Sequence, residues 1–180
     1  MGAAEDYRSR IESLLASLSL PAELISERGL TLQPEAGELA LAGVGADGRE
    51  HRLIPPAADA WRAMRAAARA DGVGLEIVSA FRGVERQTEI VRHKLARGLT
   101  PEEIFAVTAP PGYSEHHSGR AVDVTTDGAQ PLEEEFEQTA AFRWLLEHAG
   151  EFSFYLSYPK GNSSGFVYEP WHWCYRADVV

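Results

Sequence analysis

The residue types with the most chemistry to offer are concentrated in Ser114-Glu115-His116-His117-Ser118-Gly119-Arg120-Ala121-Val122-Asp123. His116 supplies a neutral imidazole, Asp123 supplies a carboxylate, and Gly119 permits a tight backbone path between them. If a strand follows the loop, Arg120 and Val122 face one way and Ala121 and Asp123 the other. The small Ala121 then leaves room beside the carboxylate for an ion or a substrate. One His and one Asp are an incomplete metal set, and these ten residues read equally well as a polar loop in which Asp123 pairs with Arg120. Glu169-Pro170-Trp171-His172-Trp173, near the C-terminus, completes the set. His116, Asp123 and His172 make two imidazoles and one carboxylate, the three-ligand pattern with which a catalytic zinc ion keeps a fourth position for water. Glu169 is then free to act as general base on that water. Pro170 argues against the helical arrangement of many zinc peptidases. In a regular strand Glu169 and His172 would point to opposite faces, so this reading demands a bend at Pro170.

Arg82 directly follows the apolar run LEIVSAF, residues 75–81, where a strand gives way to a loop. An Arg there can hold a substrate carboxylate or stabilise the oxyanion of amide hydrolysis. Taken alone, it reads as a surface ion pair with Glu85. Gln87 reaches the same cleft from the start of the next helix. Trp171 is placed to line a substrate cleft, and Trp173 belongs to the core. His93 and His148 lie in charged helical stretches and His51 among polar turn residues, which suits solvated or capping roles.

These residues need a scaffold, and the periodicities supply one. Ile11, Leu14, Leu15 and Leu18 mark one face of a helix over 6–18. Residues 31–54 read as short strands around an Asp47-Gly48 hairpin turn. Pro55 opens an Ala-rich helix to Ala70, and 75–81 is a buried strand. A helix over 84–95 follows, and Thr100 with Glu103 forms a capping box for a short third one. A strand over 120–125, a helix over 136–148, and strands near 152–158 and 167–175 complete the chain. Helices do not alternate strictly with strands, so the expectation is one α+β domain over 1–180, a mainly antiparallel sheet flanked by helices. Its motif-bearing core is about 75–175, with 1–54 as an N-terminal helix and short strands.

Composition bounds the function. At 180 residues, 44% hydrophobic and 24% charged, the chain is globular rather than disordered or fibrous. A formal charge of -10 with no basic patch argues against a nucleic-acid partner. Cys174, the one cysteine, excludes an internal disulfide. No apolar run approaches the ~20 residues of a membrane span. Charges occupy the place where a signal peptide puts its apolar stretch. The expected location is therefore cytoplasmic, or periplasmic or cell-wall-associated if a leader has been removed.

Together, Ser114-x-His116-x-x-Gly119-x-Ala121-x-Asp123 and Glu169-Pro170-Trp171-His172-Trp173 resemble the VanY-type D-alanyl-D-alanine carboxypeptidases, zinc peptidases sharing a fold with the Hedgehog signalling domain. SAFRGVERQ resembles that family's Ser-Gly-Tyr-Arg-Ser segment with its following Gln, and FYLSYPKGNSSGFVYEPWHW resembles its final hairpin. The resemblance implies one Zn2+ per chain held by His116, Asp123 and His172. It implies Glu169 as catalytic base and Arg82 as oxyanion or carboxylate clamp, with Ser114, Gln87 and Trp171 against the peptide. The implied activity is that of a D,D- or L,D-carboxypeptidase, cleaving peptidoglycan-derived peptides that end in a D-amino acid by metal-activated water; soluble precursors or recycled muropeptides suit a chain without a leader. A D-Ala-D-Ala dipeptidase, a phage-like endopeptidase and a non-catalytic zinc- or muropeptide-binding module are the alternatives. Phe81 and Gly83 stand where the family has Tyr and Ser, removing two hydroxyls near Arg82. Cys174 stands where it has Arg, either as a buried thiol or as a fourth ligand that would close the site.

Overall fold

The helices that the apolar spacing implies form, one of them interrupted, and the strands are shorter than the sequence suggests. In the computed structural model, which describes residues 3–177, α1 (Ala3–Ser17) buries Ile11 and Leu15. After Pro21 comes the short α2 (Ala22–Glu27). Strands β1 (Ala40–Val44) and β2 (Glu50–Leu53) form a separate antiparallel hairpin, while 31–39 carries no strand. Gly48 turns it at φ +79°, a conformation that only glycine adopts without strain. In α3 (Pro55–Ala70) the proline sits in the first turn, where its missing N–H has no partner to lose. Trp61, Met64 and Ala68 form its buried stripe.

Next come β3 (Glu76–Ser79), α4 (Val84–Ala96) and α5 (Pro101–Val107). The capping box at α5 is present in both directions: Thr100 Oγ1 accepts from the Glu103 N–H, and the Glu103 carboxylate accepts from the Thr100 N–H. The helix expected over 136–148 is broken. A 3₁₀ turn (Glu134–Gln138) stops at Thr139, whose hydroxyl accepts from the Phe142 N–H and starts α6 (Ala140–His148). Threonine at that point serves better as a cap than as a helix interior residue. Ala149-Gly150 does not end the helical path either, which continues as a 3₁₀ turn to Phe152.

Four strands make the main sheet, in the order β3-β4-β6-β5, every neighbour antiparallel. Here β4 is Ala121–Thr125, β5 is Phe154–Leu156 and β6 is His172–Tyr175. The final hairpin is thus shorter than the expected 152–158 and 167–175. Pro170 has no N–H to give a ladder. β4 lies at the centre and is buried along its whole length. Val122 and Val124 pack in one apolar cluster with Trp61 and Met64 of α3, Phe142 and Leu145 of α6, and Trp173. The alternation leaves Ala121 and Asp123 on the opposite face. A second apolar cluster joins Ile11 and Leu15 of α1 to Val84 and Val91 of α4 and Ile104 and Phe105 of α5. That cluster fixes α4 as one wall of a cleft whose other wall is the Asp123 face of the sheet. Among the described residues, no helix is long and apolar enough to cross a membrane.

Candidate metal centre

His116 reaches its place because the chain turns sharply into β4. A 3₁₀ turn (Glu115–Ser118) ends at Gly119, φ +65°, whose N–H donates to the His116 carbonyl at 3.2 Å. A side chain at Gly119 would lie 3.1 Å from Ala36 and Leu39 and 3.2 Å from Ile54, so glycine is required there twice over. Within the sheet, Asp123 stands opposite Ser79 on β3 and His172 on β6. The register alone therefore brings His172, 49 residues away in sequence, against the carboxylate. His116, Asp123 and His172 are all buried, and one ligand atom from each lies within 4.8 Å of the others.

Hydrogen bonds decide which atoms face inward. His116 Nδ1 is 2.7 Å from the Ala80 carbonyl, which can only accept, so Nδ1 carries the proton. The lone pair of His116 Nε2 then faces Asp123 Oδ2 at 3.2 Å. His172 presents Nδ1 to Asp123 Oδ1 and Nε2 to Glu115 Oε2, both at 3.0 Å. Burial opposes a charge on this ring. The two carboxylates outweigh it and hold His172 protonated up to about 10. Burial likewise raises Asp123, but His116 and His172 outweigh that and keep it far below the usual carboxylate range. Glu115 is fixed by the Ser157 hydroxyl at 2.6 Å and by Arg176 at 3.5 Å. Burial pushes it up, and its hydrogen bonds to His172 and Ser157 prevail, leaving it at about 2.

Two imidazole nitrogens and one carboxylate oxygen on a buried face suit a divalent ion of the zinc type. Loading it needs loss of the His172 Nδ1 proton, after which Nε2–H donates to Glu115. The sequence reading missed Glu115 altogether. Its role depends on the far side of a ring 57 residues away, and a carboxylate beside a ligand histidine carries no spacing signal.

The bend that the metal reading demands at Pro170 is present. The Glu169 N–H donates to the Tyr158 carbonyl and the His172 N–H to the Glu169 carbonyl, both at 3.1 Å. This tight turn sets Glu169 Oε2 3.8 Å from His172 Nδ1. Burial pushes the Glu169 carboxyl up to about 7, with Asp123 adding to it and His172 and Arg82 opposing. Arg82 does not pair with Glu85, which instead meets Arg10. It donates to Gln87 Oε1 at 2.9 Å and to Ser79 Oγ at 3.2 Å, and its Nη2 lies 3.9 Å from Asp123 Oδ2. The backbone of Arg82 is held as well, since His117 Nδ1 donates to its carbonyl at 2.5 Å. His117 is wholly buried and accepts from the Gly112 N–H through Nε2, so it is a structural brace.

The cleft encloses about 710 Å³ and is lined by Ser114, Gln87, Trp171, Arg82, Glu169 and the metal-site trio, among others. Ser114 and Gln87 are buried at its base, and the Gln87 amide also donates to the Ala109 carbonyl at 2.6 Å. Trp173 is core, its indole N–H donating to the Pro170 carbonyl. Cys174 is buried outside the trio, its thiol pushed up to about 12 by burial and by Glu115. One expectation is corrected here: His51 is not a solvated turn residue. It lines the cleft, and its Nε2 is buried without a hydrogen-bond partner, because the β1–β2 hairpin folds back over the site. His93 is exposed, and His148 meets Glu151 at 2.9 Å on the surface.

Comparison with known proteins converges on one family. Residues 50–178 match the family model of VanY, D-alanyl-D-alanine carboxypeptidase. The chain belongs to this VanY family. A D-alanyl-D-alanine carboxypeptidase of Enterococcus faecalis is 39% identical over 119 residues. That match takes in 61% of this chain and 42% of the relative, so the chain spans less than half the relative's length. The LdcB LD-carboxypeptidase superposes with a TM-score of 0.71 at 31% identity, over 78% of this chain and 69% of LdcB. VanYB in complex with D-alanine-D-alanine gives 0.62 at 32% identity, over 81% of both chains. A mutant VanY from a VanB-type cassette, solved in complex with Zn(II), gives 0.61 at 31%, over 81% of this chain and 83% of that one. The antiparallel α+β scaffold expected from the sequence is the scaffold of these VanY-family peptidases.

Proposed function

We propose that this chain is a zinc-dependent carboxypeptidase that removes the terminal D-amino acid from peptidoglycan-derived peptides. One observation carries the reading. Glu169 lies beside the three ligand atoms without being one of them, largely buried and held by the Pro170 turn. A purely structural metal site has no use for a buried, unliganded carboxylate at that position. The zinc complex of the VanY relative and the D-alanine-D-alanine complex of VanYB supply the metal and the substrate class by similarity.

His116 Nε2, the Asp123 carboxylate and His172 Nδ1 hold the ion. When bound, zinc supplies Lewis acidity, making water more acidic and a carbonyl more electrophilic. Glu169 accepts the proton of the attacking water and returns it to the amine of the departing D-amino acid. A carboxylate that titrates near neutrality suits both steps, and a cation nearby lowers it further toward the base form. Arg82 aims its guanidinium at the trio and stabilises the oxyanion that forms from the scissile carbonyl. Ser79, Gln87 and His117 hold Arg82 there, and Ser114 and Trp171 form the floor and wall against the peptide. Release of D-alanine from a muropentapeptide, measured with and without chelator, tests the reading. Chelator-sensitive release supports it; no release from protein carrying one zinc per chain contradicts it.

A further inference from the structure

The cations lining the cleft are not equivalent. Arg49 pairs with Asp47 at 2.5 Å and Arg86 with Glu89 at 2.8 Å. Arg82 is engaged by Gln87 and Ser79 and leans toward Asp123. Lys94 alone makes no direct ion pair among the described residues, although the Glu169 carboxylate across the cleft attracts it. Its ammonium donates to Thr108 Oγ1 at 2.6 Å, and Thr108 is itself buried. Lys94 stands seven residues, two helical turns, beyond Gln87 on α4, so both side chains face the cleft. Helical side chains lean toward the helix N-terminus, which carries the Lys94 stem back toward Gln87 and Arg82. Partial burial and Arg82 disfavour its charge while Glu169 favours it, and with only a hydroxyl in direct contact the ammonium has room for an anion in the cleft.

We propose that Lys94 and Thr108 bind the free C-terminal carboxylate of the peptide and thereby make the enzyme an exopeptidase. The proposal rests on the carboxypeptidase reading and divides two tasks that a single arginine would otherwise have to perform. Arg82 is held against the metal-site trio, where the oxyanion forms. The terminal carboxylate lies one residue beyond the scissile carbonyl and needs a second cation farther along the cleft. Thr108 accepts from the ammonium, which leaves its own hydroxyl proton to donate to the second carboxylate oxygen.

Zinc-loaded wild-type, Lys94→Met and Lys94→Arg proteins are compared on an acylated peptide ending in D-Ala-D-Ala and on its C-terminal amide. The wild type is expected to prefer the free acid. Lys94→Met is expected to lose about 10- to 100-fold in kcat/KM on the acid, mostly through KM, with the amide unchanged. Lys94→Arg restores part of the preference. An acid-to-amide ratio unchanged in Lys94→Met overturns the proposal and leaves the carboxypeptidase reading intact. If the wild type cleaves neither peptide, that reading fails, and a binding arm decides Lys94 separately. The chain has two lysines, Lys94 and Lys160, so reductive 13C-methylation gives two lysine NMR signals beside that of the α-amino group, assignable by substitution. Movement of the Lys94 signal on adding D-alanine but not D-alaninamide supports the site, and no movement overturns it.

Discussion

Glu115 Oε2 lies 3.0 Å from His172 Nε2, on the side of the ring opposite Asp123. The relationship fixes both the rotation of the imidazole and the nitrogen it offers to a metal. Ser157 and Arg176 hold the carboxylate in turn, so the orientation of His172 is set by three residues that touch no ligand position.

Replacing Glu115 with Gln should weaken zinc binding about 10- to 100-fold while the fold survives, because the amide keeps the shape and loses the charge. Competition against a chromophoric chelator measures it. An unchanged affinity would remove Glu115 from the support of the site.

The protonation of His172 makes the metal-free protein sensitive to pH in a defined direction. Its folded-state value of about 10 lies above the ordinary 6.5, so its contribution to stability is complete below about 6.5 and is lost as pH rises toward 10. Glu169, raised from 4.5 to about 7, loses its contribution over that lower interval in the same sense. Thermal unfolding of chelated protein should therefore drop by several degrees between pH 6.5 and 9. Zinc replaces the Nδ1 proton, so the loaded protein should show a flatter profile and an apparent zinc affinity that rises with pH. A chelated protein equally stable at both pH values would contradict the charged His172.

Gly119→Ala should cost about 1–3 kcal/mol, combining a positive φ with crowding against Ala36, Leu39 and Ile54. Relief of that crowding moves the turn that presents His116, so zinc affinity should fall with stability. Denaturant unfolding and metal titration on the same sample check both. Loss of stability with unaltered zinc binding would show that the turn and the ligand are uncoupled.

The convergence of His116, Asp123 and His172, with Glu169 beside them, was legible in the sequence because it is written in residue type and spacing. The bend at Pro170 was legible because the metal reading could not hold without it. Glu115 and His51 were not, since their roles arise from sheet register and from the hairpin folding over the cleft, which local patterns do not encode. The break at Thr139 was missed because helical periodicity continued through it, while the hydroxyl took the capping bond. The strands were overextended for a related reason: alternation in 152–158 and 167–175 persists where Pro170 and the Glu169 turn have already ended the pairing.

Glu169 is set apart from the trio as a base that is not a ligand. Zinc content and D-alanine release, measured together on Glu169→Ala and wild type, test this most directly. Both proteins should carry about one zinc per chain, with release abolished or reduced by several orders of magnitude in the variant. Full release by a zinc-loaded Glu169→Ala protein would contradict it.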